Sequence, residues 1–99
     1  MCGAPVQGSS VGAVDVGSET VIQGVVTSGA AGDPVPGAYV RLLDATGEFT
    51  AEVVTSPAGE FRFFAAPGDW TLRALSPRGN GETRVTAAAG AATDAALAL

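Results

Sequence analysis

The chain has 99 residues, room for one domain built on a single core. Charged residues are only 15%, the net charge is -5, and the cations Arg41, Arg62, Arg73, Arg78 and Arg84 form no basic run. That argues against nucleic acid and anionic membranes as partners, since both demand clustered positive charge.

The first stretch, residues 1–18, is MCGAPVQGSSVGAVDVGS, rich in Gly, Ser and Ala. It reads as a mobile N-terminal arm, with Val14 and Val16 as candidates for a short edge strand. The domain proper is expected over 19–99. Glu19–Ser28 reads as the first strand, with Ile22, Gly24 and Val26 on one face and Val21, Gln23 and Val25 on the other. Residues 29–37, GAAGDPVPG, read as a loop, because two prolines withhold ladder donors.

Ala38–Leu43 is the second predicted strand, with Val40 and Leu42 inward and Tyr39, Arg41 and Leu43 outward. After a turn at Asp44–Gly47, Glu48–Thr55 is the third, with Phe49, Ala51 and Val53 in phase. Ser56-Pro57-Ala58-Gly59 predicts a bulged hairpin into Glu60–Ala65, whose Phe61 and Phe63 point inward. Ala66-Pro67-Gly68-Asp69 has the residue order of a type II turn. Trp70–Leu75 is then the fifth strand, with Trp70, Leu72 and Ala74 inward. A Pro/Gly turn over residues 76–81 leads to Glu82–Ala87, and a flexible Ala88–Ala92 stretch leads to Thr93–Leu99. The Ala-rich tail has helical propensity, but Ala95, Leu97 and Leu99 alternate, so it is read as a strand. The sum is an all-β sandwich.

The strand VIQGVVTSG followed by DPVPGAYVRLLD and then TSPAGEFRFFAAPGDWTLRAL resembles the carboxypeptidase regulatory-like module. That resemblance covers roughly residues 20–76 and implies a seven-stranded transthyretin-like β-sandwich. MCGAPVQG, YVRLLDATGEFTAEVV, GEFRFFAAPGDWTLRAL and GNGE are similar to segments of the small actinobacterial SseC family, across nearly the whole chain. That family carries a domain of unknown function. Its loose association with thiosulfate sulfurtransferases of the rhodanese type implies a sulfur-metabolism partner and a non-catalytic role. It assigns no catalytic residue that could be carried over.

The absences are as informative as the motifs. There is no His and no Lys, and Cys2 is the only cysteine. This removes the commonest general base, Schiff-base chemistry, an internal disulfide and a cysteine zinc cluster. No enzyme, cofactor or metal is expected. The start of the chain shows neither a basic n-region nor an apolar h-region, and no apolar run approaches a membrane span, so the expectation is a cytoplasmic protein.

Two candidate sites remain. Cys2 would follow directly on removal of Met1, placing a thiol beside an α-amino group. A neighbouring cation lowers a thiol pKa, so Cys2 is the candidate sulfur acceptor, against the plainer reading of an inert thiol on a mobile arm. The second candidate is a partner-binding face of Tyr39, Arg41, Leu43 and Phe64, joined by Val21 and Val25. The competing reading is that the arm or the sheet twist covers it. Pairing of this face with a second copy, as a structural homo-oligomer, is a further possibility. Trp70 is read as core rather than ligand platform, which requires a buried partner for its indole N–H.

Overall fold

The computed structural model describes residues 20–99. These hold eight strands and no helix: β1 Val21–Ser28, β2 Asp33–Pro34, β3 Tyr39–Leu43, β4 Phe49–Val54, β5 Glu60–Phe64, β6 Gly68–Ser76, β7 Gly79–Ala87 and β8 Ala92–Ala98. Seven are the expected strands. The eighth, β2, lies inside the predicted loop and pairs only Thr27 with Pro34 and Ser28 with Asp33. So short an edge rung tolerates a proline.

The strands form two sheets. The first runs β4-β3-β6-β7 and is antiparallel throughout. The second is centred on β1. Along one side β1 pairs antiparallel with β5 over Val21–Val25 and then with β2. It also pairs parallel with β8 from Val21–Ala92 to Thr27–Ala98. The first and last of the described strands are thus neighbours. They approach closely at Gly24, where a Cβ would collide with the Ala95 carbonyl oxygen and lie 2.9 Å from the Phe61 ring. Only hydrogen fits there.

The core lies between the sheets. Ile22, Val26, Phe61, Phe63 and Leu97 come from the second sheet, and Val40, Leu42, Val53, Leu72 and Ala74 from the first. Alternation points Val40, Leu42, Phe61, Phe63, Leu72 and Ala74 inward, the expected consequence of burying one face of each sheet. The Phe61 and Phe63 rings tilt against each other at 6.1 Å between centroids. Trp70 is half-buried against this core, and its Nε1–H donates to the Ala66 carbonyl at 2.8 Å.

Three expectations are corrected. The Ser56–Gly59 turn closes with Gly59 N–H to Ser56 C=O at 2.8 Å, but it joins β4 of one sheet to β5 of the other. It is a crossing between sheets, not a hairpin. The Pro67-Gly68 connection also crosses, and Gly68 has φ +138°, outside the type II range. Finally, Phe49 is not in phase with Ala51 and Val53. Leu42 pairs with Ala51 and Leu43 with Phe49, so Thr50 is an extra residue in β4. This bulge turns Phe49 to the outer face, since a one-residue slip exchanges the two sides of a strand.

A buried hydroxyl ties the 29–37 loop to the crossing. Thr55 Oγ1 donates to the Val35 carbonyl at 2.7 Å and accepts from the Ala38 N–H at 2.8 Å. Both backbone groups would otherwise be buried without partners.

Candidate functional site

Register places side chains of the first sheet's outer face in rows. One row runs Val54, Tyr39, Leu75 and Asn80 across β4, β3, β6 and β7. The next is Glu52, Arg41, Arg73 and Glu82, and the third is Phe49, Leu43, Thr71 and Arg84. The face therefore carries three of the five arginines and two exposed aromatics, Tyr39 at 49% and Phe49 at 55%. In the charged row Arg41 Nε donates to Glu52 Oε2 at 2.9 Å. Arg73 donates from Nε and Nη2 to Glu82 Oε1 at 3.1 and 3.0 Å. Arg84 differs: its side chain makes no hydrogen bond or ion pair among the described residues.

The predicted partner-binding face is thus partly redrawn. Tyr39, Arg41 and Leu43 do share one face, but Leu43 lies between Phe49 and Thr71 and is only 7% exposed. Phe64 is 54% exposed on the other sheet, because β5 follows the crossing at Ser56–Gly59. It pairs there with Val21, which is buried, while Val25 is 37% exposed. The residue that sequence reading missed is Phe49. The signal was a bulge, which alternation of residue types does not reveal. Cys2 lies outside the described residues.

The second sheet's outer face has a polar ladder instead. Arg62 Nε donates to Gln23 Oε1 at 3.1 Å, and Gln23 Nε2 donates to Asp94 Oδ1 at 3.1 Å.

At one end of the first sheet's outer face the Asp44–Gly47 turn rises beside β6 and β7. Between them is an open trough of about 570 Å³ lined by Leu43, Thr71, Arg73, Glu82 and Arg84, among others. The turn is held by Asp44. Its Oδ1 accepts from the Thr46 hydroxyl at 2.6 Å, the Thr46 N–H at 2.9 Å and the Glu48 N–H at 3.0 Å. The Thr46 hydroxyl first and the Glu48 amide second hold the Asp44 carboxyl below its ordinary pKa of 3.8. At the far side Thr86 Oγ1 donates to Asp69 Oδ1 at 2.8 Å.

The two sheets and their connections define a transthyretin-like β-sandwich, and solved structures agree. The 5-hydroxyisourate hydrolase of Klebsiella pneumoniae matches with a TM-score of 0.61 and 21% identity, over 81% of this chain and 89% of that one. BcpA, the major pilin subunit of Bacillus cereus, matches with a TM-score of 0.66 and 12% identity, over 82% of this chain and 29% of that one. At such identities the likeness speaks for the fold alone. By sequence the chain belongs to the family described as "Protein of unknown function (DUF1416)", matched over residues 2–99. Its relatives include the uncharacterized proteins Rv0814c and Rv3118 of Mycobacterium tuberculosis. Each is 60% identical over 86 residues, covering 86% of this chain and 85% of the relative. An uncharacterized protein of Mycolicibacterium smegmatis is 62% identical over 72 residues, 73% of this chain and 79% of its own length.

Among the described residues no helix is long and apolar enough to cross a membrane.

Proposed function

We propose that the chain is a non-catalytic accessory module that docks on a protein partner through the outer face of its first sheet. The observation that carries this reading is the placement of exposed Tyr39 and Phe49 on the same face as Arg41, Arg73 and Arg84. Aromatic and Arg side chains are the types that dominate binding energy at interfaces. A chain without His or Lys is also poorly equipped for acid–base or Schiff-base catalysis.

The partner class comes from the resemblance to the SseC family: a thiosulfate sulfurtransferase of the rhodanese type in the cytoplasm. The test is capture from native extract with the unaltered chain and with a Tyr39→Ser, Phe49→Ser double variant. Recovery of a sulfurtransferase by the first and its loss by the second, a weakening of about thirtyfold, is the expected result. Capture that ignores the double substitution would refute the face, and failure to recover any sulfurtransferase would refute the partner. Incubation with the sulfurtransferase and thiosulfate, followed by intact mass, separates docking from carriage. A gain of one sulfur that disappears in Cys2→Ser would make the chain a sulfur acceptor, with sulfite as the released product.

A further inference from the structure

We propose that the trough beside the Asp44–Gly47 turn binds a small carboxylic acid that also carries hydrogen-bond donors, a hydroxy acid or an amino acid. This goes beyond the docking reading, and its test needs no protein partner.

The argument begins with Arg84. Arg41, Arg62, Arg73 and Arg78 each hold a side-chain hydrogen bond to Glu52, Gln23, Glu82 and Ser28 respectively. Arg84 holds none among the described residues, although it sits in mid-strand on β7 with Glu82 two residues away on the same face. Glu82 is occupied by Arg73. A guanidinium offers five donors in a planar fork that matches a carboxylate. Directly across the ladder from Arg84 is Thr71, whose hydroxyl also has no partner among the described residues. Guanidinium and hydroxyl together form a donor set on the trough floor.

The surroundings restrict what the anion can be. Asp44, Asp69 and Glu82 line the same trough as Arg73 and Arg84, so carboxylates outnumber cations. A compact anion such as sulfate gains from Arg84 but meets that surplus of negative charge. A carboxylate with donors elsewhere in the molecule satisfies both. Its carboxylate takes Arg84 and Thr71, and its hydroxyl or ammonium groups reach Asp69, one row away. Only Oδ1 of Asp69 is engaged, by Thr86, which leaves Oδ2 open as an acceptor among the described residues. The volume, about 570 Å³, lies in the range of small-molecule sites.

The test is a titration of the full-length, isotopically labelled chain followed by amide chemical shifts at constant ionic strength. The probes are sodium gluconate, sodium glutamate, sodium acetate and sodium sulfate. Saturable shifts at Thr71, Arg84 and Thr86 are expected with gluconate or glutamate, at least about tenfold tighter than with acetate. Which of the two saturates identifies the donor as hydroxyl or ammonium. Arg84→Gln should abolish saturation, Arg84→Lys should weaken it, and Arg78→Gln, at the β6–β7 turn, should leave it unchanged. The same spectra report whether each variant is folded. The proposal is overturned if neither probe saturates below roughly 100 mM, if sulfate binds as well as either, or if Arg84→Gln titrates like the unaltered chain.

Discussion

The two sheets obey the same alternation but are assembled differently. In the first sheet two of the three pairings are local: β3 with β4 across the Asp44–Gly47 turn, and β6 with β7 across Pro77–Arg78. In the second sheet β1 finds its main partners far along the chain, in β5 and β8. Local turns therefore specify much of the first sheet. The second depends on backbone fit between distant segments.

Substitutions should expose that difference, beginning with the sharpest. Gly24→Ala places a methyl group against the Ala95 carbonyl and the Phe61 ring, where neither β1 nor β8 can move away cheaply. A loss of more than about 4 kcal/mol, read from the urea midpoint, is expected. An unchanged midpoint would mean that the β1–β8 approach is wrong.

Thr55→Val should come next. It strands the Val35 carbonyl and the Ala38 N–H, and the expected cost is about 2–4 kcal/mol by the same measurement. Thr55→Ser keeps the hydroxyl and should recover most of it. A larger loss in Thr55→Ser than in Thr55→Val would show that methyl packing, not hydrogen bonding, matters at this position.

The first sheet's charged row should respond far less. Arg73 and Glu82 are both about half exposed, so Arg73→Gln should cost under about 1 kcal/mol, and less in high salt. A larger, salt-independent loss would mean that the row is structural.

The smallest effect concerns acid. Asp44 has a folded pKa below its ordinary value of 3.8. Its ionised form therefore supports the turn fully above that ordinary value, and the support fades as pH falls through the lower folded pKa. Asp44→Asn should flatten this shallow acid limb in stability measured from neutral pH downward, with no change in the limb at higher pH. An unaltered acid limb would locate the effect elsewhere.

Much of this architecture is legible in the sequence. Alternation alone points Val40, Leu42, Phe61, Phe63, Leu72 and Ala74 inward, and all are buried. The Ala-rich tail was correctly a strand, because Leu97 alternates into the core. The candidate face was less legible. Pro and Gly mark where a chain reverses but not whether it returns to the same sheet, which is why Phe64 was grouped with Tyr39. A bulge adds a residue without any change in residue type, so alternation alone puts Phe49 in phase with Ala51 and Val53. That Arg84 has no side-chain partner among the described residues depends on which carboxylate each neighbouring arginine takes, a matter of register across four strands.

The parallel pairing of β1 with β8 has a mechanical consequence. The beginning of β1 and the end of β8 lie at opposite ends of one ladder, from Val21–Ala92 to Thr27–Ala98. Tension applied between residues 20 and 99 would slide the two strands along each other, loading every rung at once instead of peeling them one by one. A module attached to other bodies at both termini would resist stretching in the direction in which it is held.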